Sequence, residues 1–157
     1  MEAKEIYERV KGRLPEAVRE LNAQTVDPYI VIEPDHVRSV LTLLRDEPAL
    51  RFEMLLLVTG VDRLERFEVV YHLTSLTHGH RIALKAILRH DTPHIGSVAA
   101  IYPAANWHER ETYDLLGIVF DGHPDLRRIL LPDDWEGHPL RKDYVAPESY
   151  HGISNKA

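Results

Sequence analysis

An α+β domain is what the sequence predicts, because helical and strand periodicities alternate through its first 120 residues and then stop. Two stretches carry apolar residues at the spacing of an amphipathic helix. Two others alternate apolar and polar residues on either side of a Gly-containing loop, the pattern of an antiparallel hairpin. After Gly117 regular periodicity is lost and Pro and Gly become frequent. At 157 residues the chain has the commonest size of a single domain, enough to bury roughly 70% of the surface that its unfolded form exposes.

The elements follow in order. Ile6, Val10, Leu14, Val18 and Leu21 form a helical stripe. Pro15 interrupts it, so a helix is expected to about Arg13 and a second short element after it. Tyr29 to Ile32 is β-branched and aromatic between Pro28 and Pro34, and reads as a strand. Pro34 suits the first turn of a helix with Val37, Val40, Leu41 and Leu44 on its buried face, closed by Pro48. The apolar stretch from Phe52 to Val61 suggests a central strand. In the hairpin, Phe67, Val69, Tyr71 and Leu73 alternate with more polar neighbours, as do Ile82, Leu84, Ala86 and Leu88. Ser97 is placed to cap a helical turn, and Ala104 to Leu116 reads as a helix stopped by Gly117. This divides the chain into a folded body, residues 1–120, and an extended tail, 121–157.

Composition narrows the chemistry. Hydrophobic residues make up 44% and charged residues 28%, as in soluble globular proteins. There is no cysteine, which excludes disulfides, thiolate metal sites and a cysteine nucleophile. A net charge of -6 gives no global attraction for nucleic acid or anionic lipid. The longest apolar run, Met54 to Val58, falls far short of the ~20 residues that span a bilayer.

Several motifs invite a catalytic reading and fail it. His108-Glu109 starts like a zinc-protease helix, but Thr112 stands where the second histidine belongs. His72, His78, His80, His90 and His94 lie at no recognised ligand spacing and are expected as isolated turn or surface histidines. No strand is followed by a Gly-rich phosphate loop, and no serine has the flanks of a nucleophile elbow. Glu109 and Glu111 point about 200° apart around a helix and cannot form an acid/base pair. Arg110 and Asp114 have the spacing of a surface ion pair.

The tail carries Phe120, Leu126, Ile129, Leu130, Leu131, Trp135, Leu140 and Tyr144, too many apolar and aromatic residues for a solvated end. Aromatic anchors, prolines and adjacent Arg/Lys suit a strip that binds a partner. The alternative is that the tail packs only over its own domain. Two turns echo each other: Gly122-His123-Pro124, followed by Leu126-Arg127-Arg128, and Gly137-His138-Pro139, followed by Arg141-Lys142.

The run from Trp107 to Tyr144 resembles the signature region of the 30-kDa subunit of respiratory complex I, the C-type subunit of bacteria. The matching positions are Glu109, Arg110, Glu111, Tyr113, Asp114, Leu115, Leu116, Gly117 and Gly122 to Leu130, and again Asp133 to Tyr144, including Trp135, His138, Arg141, Lys142 and Asp143. Upstream, Asp62 with Arg66 to Leu73 is similar as well. The resemblance implies a two-layer mixed sheet with helices on one side and an extended C-terminal tail. It implies a structural subunit of the peripheral arm of a proton-translocating NADH:quinone oxidoreductase, with no catalytic centre, metal or cofactor of its own. FMN, iron–sulfur clusters and quinone are then expected in partner subunits. The implied partners are the 49-kDa-type quinone-site subunit and neighbouring iron–sulfur subunits, on the cytoplasmic face of a bacterial membrane. The basic residues of the tail, Arg127 and Arg128 among them, are expected to serve partners more than the chain's own fold. An equivalent subunit of a membrane-bound [NiFe] hydrogenase, or of a quinone reductase with another donor, would share the same residues.

Overall fold

The structure is a computed structural model and describes residues 1–155. Helix α1 (Ala3–Arg13) buries Ile6, Tyr7 and Val10, one stripe of its surface. Pro15 ends it in a short 3-10 turn, and the chain then extends into β1 (Val18–Asn22). This strand corrects the helical stripe read through Val18 and Leu21. Its pairing with β2 (Tyr29–Ile32) supplies backbone partners that outweigh a local apolar spacing. Helix α2 (Val37–Asp46) follows a 3-10 turn opened by Pro34 and buries Val37, Val40, Leu41 and Leu44, as its spacing predicts.

Three nine-residue strands come next: β3 (Met54–Asp62), β4 (Arg66–Thr74) and β5 (Arg81–Arg89). The sheet order is β1-β2-β5-β4-β3. β2 and β5 run parallel while the other neighbours are antiparallel, which makes the sheet mixed. β3 therefore lies at an edge, not in the centre. Its apolar run misled because Met54, Leu56 and Leu57 are 44%, 42% and 38% exposed, while Leu55 and Val58 alone of that run turn inward.

One face of the sheet is the core. Phe67, Val69, Tyr71 and Leu73 of β4 meet Ile82, Leu84, Ala86 and Leu88 of β5 and the buried stripes of α1 and α2 in a single cluster. Each large side chain withdrawn from water there contributes roughly 1.5–3 kcal/mol. On the opposite face the Glu68 side chain, 4% exposed, lies 3.1–3.4 Å from Arg63, Arg66 and Lys85, so its charge is held by three cations. His80, expected in an exposed turn, is buried and its Nε2 meets the Leu50 carbonyl at 2.6 Å.

The sheet leads into β6 (His94–Gly96), helix α3 (Ala105–Leu116) and β7 (Val119–Asp121), with β6 and β7 parallel. Gly117 ends α3 with φ +72°, a left-handed conformation open to glycine. Beyond β7 the chain is irregular until a small antiparallel pair, β8 (Ser149–Tyr150) and β9 (Ile153–Ser154). No helix of the described residues is long and apolar enough to cross a membrane.

Candidate interface where the C-terminal strap crosses the third helix

Helix α3 presents three faces. Ala105, Glu109, Thr112 and Leu116 are buried toward the sheet; Thr112 and Leu116 approach so closely that a Cβ on Gly60 would meet them at 2.8 and 2.6 Å. Arg110 and Asp114 face the tail, which crosses them as a strap. Trp107 and Glu111 point to solvent, with Trp107 62% exposed.

The charges of this helix thus lie largely inside, which corrects the reading of a charged helix surface. Arg110 and Asp114 do not pair with each other. Asp114, its side chain fully buried, accepts the backbone N–H groups of Ile129, Leu130 and Leu131 at 3.0, 2.8 and 2.9 Å and an N–H of Arg128 at 2.9 Å. Burial opposes its ionisation, but these four donors outweigh it and hold its carboxyl below the usual carboxylate range. Arg110, 8% exposed, donates to the carbonyls of Arg127 and Arg128 at 3.1 and 3.0 Å and lies against the Trp107 ring. A helical acid and a helical base therefore bind the strap's amides and carbonyls respectively. This is the reason for an irregular segment to follow one path: its backbone polar groups find partners on a rigid element.

The two Gly-His-Pro turns fix the ends of this crossing. In the first, the buried His123 ring donates from Nε2 to the Asn106 carbonyl at 3.1 Å and accepts the Asp125 N–H on Nδ1 at 2.9 Å. Gly122, φ +80°, lies against the Arg38 guanidinium, which donates to the Ser97 and Asp121 carbonyls. Leu126 packs against the core, while Pro124 is exposed. In the second turn, His138 donates from Nδ1 to the Asp114 carbonyl at 2.9 Å, with Tyr113 edge-on at 6.1 Å. Burial, opposed by that bond and aided by Arg141 and Arg128, lowers the pKa of His138. Gly137, φ +79°, leaves room for the Tyr144 ring.

Further along, Arg141 donates to the Leu116 carbonyl at 2.6 Å and covers the Phe67 ring, and the Lys142 N–H donates to Asp62 at 2.8 Å. Asp62, His90 and Asp143 bring one possible ligand atom each within 4.8 Å of one another. Both Asp62 oxygens already accept backbone amides, from Leu64 and Lys142, so the geometry is that of a latch closing the strap on the sheet. Trp135 is half-buried against Tyr150 at 5.1 Å.

Arg127 and Arg128 part ways. Arg128 is largely inside and also donates to the Trp135 and Gly137 carbonyls. Arg127 is 70% exposed and pairs with exposed Asp125. Arg38 completes the site unread from the sequence, while Ser97 reads there only as a helix cap and Asp62 only within the upstream resemblance; their partners here lie too far along the chain for spacing to reveal them.

Glu109 is the other fully buried acid. Ser97 donates to it at 2.6 Å and the Val98 N–H at 2.7 Å, with His123 Nε2 3.9 Å away. Burial pushes its carboxyl up to about 7, against the opposing pull of Ser97, Val98 and Arg38. Glu111 is exposed, so the two carboxylates point to opposite sides of the helix.

Known proteins resemble this chain in sequence and fold. The family model described as "Respiratory-chain NADH dehydrogenase, 30 Kd subunit" matches residues 30–150. A protein of Saccharopolyspora erythraea, named as the C-type subunit of NADH-quinone oxidoreductase, is 48% identical over 151 residues, covering 92% of this chain and 61% of the relative. Its namesake in Chlorobium phaeobacteroides is 43% identical, covering 94% and 91%. This chain thus spans about three fifths of the length of the Saccharopolyspora relative and nearly all of the Chlorobium one. Among solved structures, a trypsin-resistant fragment (1-134) of Nqo5 superposes with a TM-score of 0.63 at 29% identity, covering 80% of this chain and 100% of the fragment. A chain of an archaeal respiratory membrane complex, the membrane-bound sulfane sulfur reductase, superposes with a TM-score of 0.75 at 28% identity, covering 90% and 85%. Through a match that takes in both the sheet and the strap, the chain belongs to the respiratory-chain NADH dehydrogenase 30-kDa subunit family.

Proposed function

We propose that this chain is the structural 30-kDa-type subunit of a proton-translocating NADH:quinone oxidoreductase, placed in the peripheral arm on the cytoplasmic face of the membrane. The observation that carries the reading is the 43–48% identity, over more than nine tenths of this chain, to the Saccharopolyspora and Chlorobium proteins. The site's geometry supports a structural role. Arg110, Asp114 and Arg128 spend their charge on the strap's own backbone, and buried Glu109 and exposed Glu111 cannot share a substrate. Among the side chains that the strap and α3 leave outside are three large apolar ones: Trp107, Leu130 and Leu140 are 62%, 62% and 60% exposed. Large aromatic and aliphatic side chains held on a rigid support are the anchors of stable interfaces. The partners in this reading are the 49-kDa-type quinone-site subunit and adjacent iron–sulfur subunits, which hold the FMN, clusters and quinone; this chain holds none.

Deleting the chain is expected to abolish assembled NADH:quinone activity, and the pure chain to show no flavin or cluster absorbance. Replacing Trp107 and Leu140 by Asp is expected to reduce assembled complex about tenfold or more, since two anchors of ≥ 1 kcal/mol each are lost. Full activity in those variants would refute the interface. The superposition on the sulfane sulfur reductase chain favours one further reading, an equivalent subunit in a membrane-bound reductase with another electron donor. Copurified partner subunits without an NADH-oxidising flavoprotein would establish it.

A further inference from the structure

The sheet treats its two edges differently. β1 carries exposed Arg19 and Glu20 and a register break between Val18 and Glu20, devices that discourage an added strand. β3 has neither charge nor proline from Met54 to Val61, and its own register break falls early, between Leu55 and Leu57. From Leu57 to Asp62 it pairs regularly with β4, and β4 is its one neighbour in the sheet. The amides and carbonyls that an edge strand turns away from its neighbour are therefore free for a ladder.

Alongside that edge runs a groove lined by Leu57, Val58 and Gly60 of β3, Glu111 and Leu115 of α3 and Leu140 of the strap. Leu57 and Leu140 are 38% and 60% exposed. Glu111 is exposed and has no partner among the described residues. The groove thus offers apolar walls, a free strand edge and one unpaired acid, with no base among its lining residues. A second copy of β3 would bring acid to acid. A strand that carries a cation complements it.

We propose that this groove receives an extended segment of a neighbouring subunit, which adds to β3 as a sixth strand, sets apolar side chains against Leu57 and Leu140, and places a Lys or Arg against Glu111. The inference rests on the assembly reading above and deepens it by naming how one partner is held.

Hydrogen exchange of the full chain, free and within the purified complex, tests it. Amides of residues 57–61 are expected to slow about tenfold or more on assembly, while those of β1 stay unchanged. Glu111→Arg is expected to lower the yield of assembled complex several-fold with the circular dichroism of the free chain unaltered. An assembled complex with β3 exchanging as in the free chain overturns the inference alone. So does a Glu111→Arg chain that assembles like the parent, or protection of β3 in a concentration-dependent homodimer seen by analytical ultracentrifugation. A chain that joins no complex overturns the assembly reading and this inference together.

Discussion

Asp114 accepts three consecutive backbone N–H groups and an Arg128 N–H while its side chain is fully buried. Removing it by Asp114→Ala leaves three amides without their acceptor and the Arg128 guanidinium without its counter-charge, so a loss of about 3–5 kcal/mol is expected in urea unfolding. For the same reason Arg128→Glu is expected to destabilise the isolated chain by several kcal/mol, whereas Arg127→Glu, at an exposed pair, is expected to leave its stability nearly unchanged. Equal effects at the two arginines would contradict the geometry. Glu109 makes a different statement. Its folded pKa, about 7, lies above its ordinary 4.5, so the folded state binds the proton more tightly than the unfolded chain. Its contribution is therefore fully present below about pH 4.5 and declines as pH rises to about 7, by on the order of 3 kcal/mol. Glu109→Gln is expected to flatten that part of the stability curve; an unchanged slope would show that another group titrates there.

At the scale of elements, α3 works as a rail with its C-terminal end set by glycine and its position by buried stripes. A Cβ on Gly117 would meet Arg141 Nη2 at 2.5 Å and His138 Cδ2 at 2.6 Å, and the left-handed φ adds strain of its own. Gly117→Ala is expected to cost about 1–3 kcal/mol and to speed proteolysis of the strap near Arg141 before the sheet is touched; cleavage at the parent rate would place the strap elsewhere. How much of this was legible follows from distance along the chain. Helix α2, the hairpin of β4 and β5, and the Gly117 stop were readable because periodicity and caps are local. The edge position of β3 was not, since an apolar run fits a half-exposed edge as well as a centre. Nor was β1, whose partner β2 was visible but whose own residues also fit a helical stripe. The tail's apolar load marked it as ordered. That Arg110 and Asp114 serve the tail's backbone, and not each other, depends on contacts 15 to 18 residues away, beyond the reach of a helical repeat.

For the whole molecule, the division into residues 1–120 and a tail of 121–157 becomes a question of energetic coupling. The body supplies buried charges, and the strap supplies their partners: Arg110 bonds carbonyls at 127 and 128, Asp114 bonds amides at 129 to 131, and Asp62 accepts Lys142 N–H. A buried charge left alone costs far more than the bond that satisfied it. A chain ended at Gly122 is thus expected to lose at least the 3–5 kcal/mol of one uncompensated buried ion, roughly 6–20 °C in Tm for a protein of this size. A truncated chain that melted at the parent temperature would make the strap an appendage whose bonds matter in the assembly alone. The expected loss makes it part of the fold: the chain satisfies its own backbone along the strap first, and in the proposed assembly Trp107, Leu130, Leu140 and the β3 edge would meet partners as a surface already set in place. Such a surface loses little conformational entropy on association, which is what a subunit whose role is to hold others requires.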